Sequence, residues 1–274
     1  MIEKKLCILI TCPDGPSDHH LTVFKDCDYF FVTYEQANEH ALAFNSGKSW
    51  AFNRNDLYNR VPKIYEYYCF VDYDVVFEGI DPNLVVKSIL TFLNTWNPAF
   101  YQPYYTDSAD GSQRMKLHDR NIAKGLTAGP GGMLTQLFSC FHHSLMDFVF
   151  PLPLQFGGFW DAAAFVNILI APPFEEHVLI DYQMQISNGV SSDYQQNLDP
   201  TLGQKKMNEA FLWVQQAFGD DTYKCKNISK FKNHYMKRRR KTQINKSPSD
   251  VNYYDEQHLL KYFNLDRLST MERQ

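Results

Sequence analysis

The chain has 274 residues, 44% hydrophobic and 15% aromatic, with 27 Lys/Arg against 31 Asp/Glu for a net charge of −4. No run of eighteen apolar residues occurs, and the six cysteines (7, 12, 27, 69, 140 and 225) form no C-x-x-C pair. A membrane-spanning chain, a zinc ribbon and a dense disulfide framework are thereby excluded as readings, and a globular cytoplasmic protein with reduced thiols is expected.

Met1 to Lys5 open on charge, and the apolar run Leu6 to Ile10 is five residues long, too short for a leader and right for a buried strand. Thr11-Cys12-Pro13-Asp14-Gly15-Pro16 then reads as a tight loop, and Asp28 to Thr33 as a second strand parallel to the first. Between Ser49 and Val61, Trp50, Phe52, Leu57, Tyr58 and Val61 recur at helical spacing until Pro62. The apolar run Tyr67 to Val71 is a third buried strand, and it hands over directly to Asp72-Tyr73-Asp74. Asp81-Pro82 supplies a helix cap and first turn for the apolar positions up to Leu93, and Ala99 to Gln102 returns as a strand.

Strand and helix alternate over the first hundred residues, which predicts an α/β fold with a mainly parallel sheet and helices on both faces. Residues 105–132 read as a glycine-rich loop able to close over a ligand, and 134–150 and 176–187 as strand-like segments. These bracket Gly157-Gly158-Phe159-Trp160-Asp161 and an apolar helix. The last forty residues show no pattern that places them.

In an open α/β sheet, ligands sit beyond the carboxyl ends of the strands, where Asp72 and Asp74 fall. Strand alternation turns both acids of an Asp-x-Asp triplet to one side. Two like charges so placed call for a hard divalent cation, Mn2+ or Mg2+.

The stretch Tyr67 to Phe77 resembles the DxD region of the GT-A glycosyltransferases, and Gly47-Lys48-Ser49-Trp50-Ala51-Phe52-Asn53 is similar to the helix start that those enzymes place against the donor nucleotide. The resemblance covers roughly residues 6–105. It implies one GT-A type, Rossmann-like nucleotide-binding domain over 1–274, with a nucleotide-sugar-binding half (1–105), an acceptor-binding half (106–222) and a basic extension (223–274). It implies a nucleotide-sugar donor, UDP- or GDP-linked, and transfer of a hexose or pentose to a hydroxyl of a glycan or glycolipid, as in polysaccharide biosynthesis. By the same resemblance Asp74 would be the principal metal ligand and Asp72 would reach the ribose or the metal. Thr11, Asn53 and Arg54 would line the donor site. Asp161 would be the general base, with Glu175, Glu176 and Asp181 as substitutes. His234 would complete the metal site, with His177 as its competitor.

The basic residues 224–246, centred on Lys237-Arg238-Arg239-Arg240-Lys241, suit a diphosphate clamp, peripheral contact with an anionic membrane, or a solvated tail. No nucleic-acid-binding module is recognisable. Two other functions compete. The same strand and Asp72-Tyr73-Asp74 also resemble the nucleophile motif of haloacid-dehalogenase phosphatases, with Asp72 as nucleophile, although Val75 stands where that family has glycine. A carbohydrate-binding domain without chemistry is the other. Gly47-Lys48-Ser49 is no P-loop, because Leu42 stands where the first glycine is required.

Overall fold

A computed structural model describes residues 2, 4–106, 121–131, 135–189, 200–219, 225–231, 235, 244 and 246–271. Its strands are β1 (Lys4–Cys12), β2 (Asp28–Thr33), β3 (Tyr65–Asp72), β4 (Val75–Glu78), β5 (Phe100–Tyr105), β6 (Ala128–Pro130), β7 (Phe138–His142) and β8 (Val178–Asn188). They form one mixed sheet in the order β2-β1-β3-β7-β5-β8-β4, with β6 alongside β8. The pairs β1/β2, β1/β3 and β5/β8 are parallel.

The helices are α1 (Asp18–Val23), α2 (Trp50–Arg60), α3 (Val85–Trp96), α4 (Met146–Val149), α5 (Phe159–Ile170), α6 (Pro200–Gln215), α7 (Glu256–Leu259) and α8 (Leu265–Thr270). They cover both faces of the sheet, and the strands show why. Cys7 and Leu9 of β1, with Tyr68 and Phe70 of β3, pack on the face covered by α2, α5 and α6. Leu6, Ile8 and Ile10, with Tyr67, Cys69 and Val71, pack on the opposite face against α1 and α3. A strand buried on both sides has no polar alternation, so these runs read as continuously apolar. No described helix is long and apolar enough to cross a membrane.

The α2 boundaries follow the sequence: the Ser49 hydroxyl accepts from the Phe52 amide at 3.2 Å, and the helix stops before Pro62. α3 begins after a 3-10 turn capped by Asp81 and ends at Asn97, which takes the left-handed conformation (φ 43°).

Of the strand-like segment expected over 134–150 only β7 is a strand, a 3-10 turn and α4 following it, and the structure corrects three further expectations. Cys69 and Cys140, directly opposed on β3 and β7, form a disulfide, so the thiols are not all reduced; Cys7, Cys12, Cys27 and Cys225 are free. The loop expected over 105–132 contains β6, antiparallel to β8. The third concerns the acids: β3 ends at Asp72, and Tyr73 and Asp74 form a turn into β4. Strand alternation therefore does not reach Asp74.

Candidate functional site

Three strand ends build the site. Thr11 on β1 and Asp72 on β3 are register partners, as are Phe70 and Ser139 of β3 and β7. Counting by twos from Tyr68 and Phe70, Asp72 faces α2, and so do Thr11 and Ser139 by register. Helix α2 answers with Arg54, whose side chain is 1% exposed. Its Nη2 donates to Asp72 Oδ1 at 2.9 Å and to the Gln136 carbonyl, and its Nη1 donates to Ser139 Oγ at 2.8 Å. The guanidinium lies 3.9 Å from the Trp50 ring centre and 5.2 Å from that of Phe70.

Asp72 takes two further donors. Trp50 Nε1 stands 3.3 Å from both carboxylate oxygens, and Thr11 Oγ1 donates to Oδ1 at 3.3 Å. Burial pushes this carboxyl up and the Arg54 guanidinium down, while their mutual attraction opposes both shifts. At 2.9 Å the two groups form a charge-assisted hydrogen bond, with Trp50 and Thr11 as the other donors to the carboxylate.

Asp74 is placed differently. Its backbone carbonyl accepts from the Gly189 amide at the end of β8, and its carboxyl lies against Asn188. Burial first, then the charge of Asp72, raises its pKa to about 6. Its Oδ1 is buried with no hydrogen-bond partner among the described residues, as are Asn53 Oδ1 and Gln136 Nε2. An orphaned carboxylate oxygen is costly unless something comes to it, and a hard cation suits it. No group of three His, Cys, Asp or Glu able to hold a metal occurs among the described residues, so the chain's own donor set there is small. Tyr34, just past β2, stacks edge-on to Tyr73 at 6.4 Å between ring centres; burial first, then Tyr73, Glu35 and the two acids, raise its pKa.

The second motif meets the first at α2. The Ala51 amide donates to the Gly157 carbonyl at 3.0 Å, and the Trp50 and Phe159 rings meet edge to face at 5.5 Å. Asp161 sits in the first turn of α5, 3% exposed, with its Oδ1 folded back toward Gly158; burial raises its pKa and the backbone amides of Gly158, Asp161 and Ala162 oppose the rise. It therefore serves the helix start from inside the first turn, while Gly158 is the N-cap.

The structure thus brings Thr11, Arg54 and Asp72 into direct contact. Asp74 follows in the turn, Asn53 lies on the same helix as Arg54, and Asp161 lies across the Trp50–Phe159 contact. Glu175, Glu176 and His177 precede β8 at the opposite end of the sheet, where His177 Nδ1 meets Ser247 Oγ at 2.8 Å. Asp181, 3% exposed, accepts from the Gln183 amide at 2.9 Å beside the register shift between β5 and β8. His234 and the run Lys237 to Lys241 lie outside the described residues. Ser139 and Gln136 carried no sequence signal, because they arrive from the antiparallel β7 and the bend before it, more than sixty residues downstream. Trp50 lay inside the recognised motif, but nothing in its spacing showed that its indole N–H would hold Asp72.

No family model and no curated protein matches the chain. Among solved structures it is similar to A197 from STIV (TM-score 0.43, 13% identity, 68% of this chain and 86% of that one). It is also similar to S. aureus TarS 1–349 (0.45, 9%, 86% and 81%) and to a mycobacterial protein (0.42, 8%, 78% and 74%).

Proposed function

We propose that the chain is a cation-dependent glycosyltransferase of the GT-A type, moving a hexose or pentose from a UDP- or GDP-sugar to a hydroxyl of a glycan or glycolipid. The observation that carries it is the pair of acids at the carboxyl end of β3: Asp72 held by Arg54, and Asp74 beside it with an unpartnered oxygen. That is the place where an α/β sheet receives a nucleotide.

In this reading Asp74 is the chain's principal ligand for Mn2+ or Mg2+, the remaining positions being left to phosphate oxygens and water. A bound cation supplies Lewis-acid stabilisation of the diphosphate leaving group. Asp72 contributes a fixed negative charge and, through Thr11, one wall of the donor crevice. Arg54 points into the protein, so its part in donor binding passes through Asp72. Asn53 offers its unpartnered amide oxygen from the same helix. Asp161, with its pKa raised by burial, is suited to accept the proton of the attacking hydroxyl. His234 as a further ligand, and the basic segment 224–246 as the contact for an anionic acceptor or membrane surface, belong to the proposal on sequence grounds.

Asp72 is poorly placed for the phosphatase alternative. A nucleophilic carboxylate needs a free oxygen, and Trp50 donates to both of its oxygens while Arg54 and Thr11 add to one. The test is a panel of nucleotide sugars with Mn2+, scored for donor hydrolysis and transfer. Turnover of one donor, lost in Asp74→Ala, supports the reading; hydrolysis of simple phosphate esters with no nucleotide sugar consumed overturns it.

A further inference from the structure

Two motifs about ninety residues apart, Asp72-Tyr73-Asp74 and Gly157-Gly158-Phe159-Trp160-Asp161, are bridged by one half-buried side chain. The indole of Trp50 carries three contacts on three different edges or faces. Its N–H is 3.3 Å from both oxygens of Asp72, one face covers the Arg54 guanidinium at 3.9 Å, and the ring meets Phe159 edge to face at 5.5 Å. The backbone repeats the connection one residue later, where the Ala51 amide donates to the Gly157 carbonyl at 3.0 Å. Ser49, at the cap of the same helix, lies so close to Gly157 that a Cβ there would stand 2.7 Å from its hydroxyl oxygen.

We propose that Trp50 is a positioning residue that locks Asp72 to the turn at Gly157–Asp161, so that the two halves of the site become ordered together. A carboxylate whose two oxygens share one N–H has its rotation restricted. The ring that carries that N–H cannot tilt without moving Phe159, and Phe159 is the first residue of α5, two before Asp161. Anything that turns Asp72 therefore loosens the start of α5, and anything that pulls the turn away takes the Trp50 donor from Asp72 and leaves it to Arg54 and Thr11. No other described side chain touches both elements with a directional bond on one side and a ring contact on the other. The lock rests on the reading that both motifs serve one site only for its purpose; the coupling itself is a property of the protein without ligand.

Hydrogen exchange read by mass spectrometry on the full chain tests it, comparing wild type, Asp72→Asn, Trp50→Phe and the double variant. Trp50→Phe keeps an aromatic ring between Arg54 and Phe159 and removes the N–H together with part of the ring area. Asp72→Asn is expected to speed exchange across residues 157–162 by about fivefold or more, and to add nothing once Trp50 is Phe, because the link is already cut. Unchanged exchange of that turn in Asp72→Asn, or an effect just as large in the Trp50→Phe background, would overturn the lock. Should Trp50→Phe fail to fold, Phe159→Leu cuts the same link from the other end. The Trp50 indole N–H resonance and exchange at residues 70–74 must then change, and an unmoved resonance refutes the coupling. Adding UDP or GDP with Mn2+ separates the two ideas: absence of nucleotide binding sinks the transferase reading while the exchange cycle still decides the lock.

Discussion

The guanidinium of Arg54 and the carboxylate of Asp72 meet at 2.9 Å inside the protein, one from the middle of α2 and the other from the last residue of β3. Removing one partner of such a pair leaves an uncompensated buried charge, which costs about 3–5 kcal/mol. Arg54→Met is expected to lower the unfolding free energy, read from a denaturant titration, by that amount. Adding Asp72→Asn should recover most of the loss, since it removes the stranded charge. Equal stability of Arg54→Met and wild type would show that the pair does not exist.

Asp74 has a pKa of about 6 from burial and from the charge of Asp72. Cation binding needs the ionised carboxylate, so Mn2+ affinity is expected to fall through half its value near pH 6 and to be lost by about pH 4.5. The folded protein holds this proton more tightly than the unfolded chain does. Its contribution to stability is therefore present at low pH and lost as pH rises through about 6. Asp74→Asn should accordingly be more stable than wild type at pH 7, by roughly 1–2 kcal/mol, and bind no cation. Calorimetry with Mn2+ and a thermal melt at pH 5 and pH 7 check both statements.

Gly157 leaves no room for a side chain: a Cβ would lie 2.7 Å from Ser49 Oγ and 2.9 Å from the Leu154 carbonyl. The hydroxyl can swing away but the carbonyl cannot. Gly157→Ala is expected to cost about 1–3 kcal/mol and to part the turn from α2. The melting temperature and exchange at the Ala51 amide report the two effects.

Asp161 has two duties that substitution can separate. Asp161→Asn keeps an acceptor for the amides at the start of α5, so stability should stay within about 0.5 kcal/mol of wild type, whereas Asp161→Ala should lose about 1 kcal/mol. If the carboxylate accepts the proton of the acceptor hydroxyl, both variants lose about 10²–10⁴ in turnover. Full activity in Asp161→Asn would remove it from the chemistry.

The strands over Leu6 to Ile10, Asp28 to Thr33 and Tyr67 to Val71 were readable in the sequence because double-faced burial leaves an unbroken apolar run. α2 and the 3-10 turn that leads into α3 carry their caps, Ser49 and Asp81, in the chain, whereas the six-residue α1 was too short to show a period. The acids announced themselves by following an apolar run, but their surroundings did not. The turn at Tyr73 and Asp74 carries neither glycine nor proline, and its only turn formers are the two aspartates, which read as ligands. The burial of Arg54 was invisible because its partners, Ser139 and Gln136, are brought in by β7, an antiparallel insertion between β3 and β5. Nor does composition pair Cys69 with Cys140; only their register across β3 and β7 does.

The account turns on Asp74 drawing a cation and a nucleotide diphosphate to the end of β3. Calorimetric titration of UDP and of GDP, each with and without Mn2+, into wild type and Asp74→Asn tests this directly. Binding of one nucleotide that requires Mn2+ and disappears in Asp74→Asn is the predicted result. No binding of either, or binding indifferent to both the cation and the substitution, would contradict it.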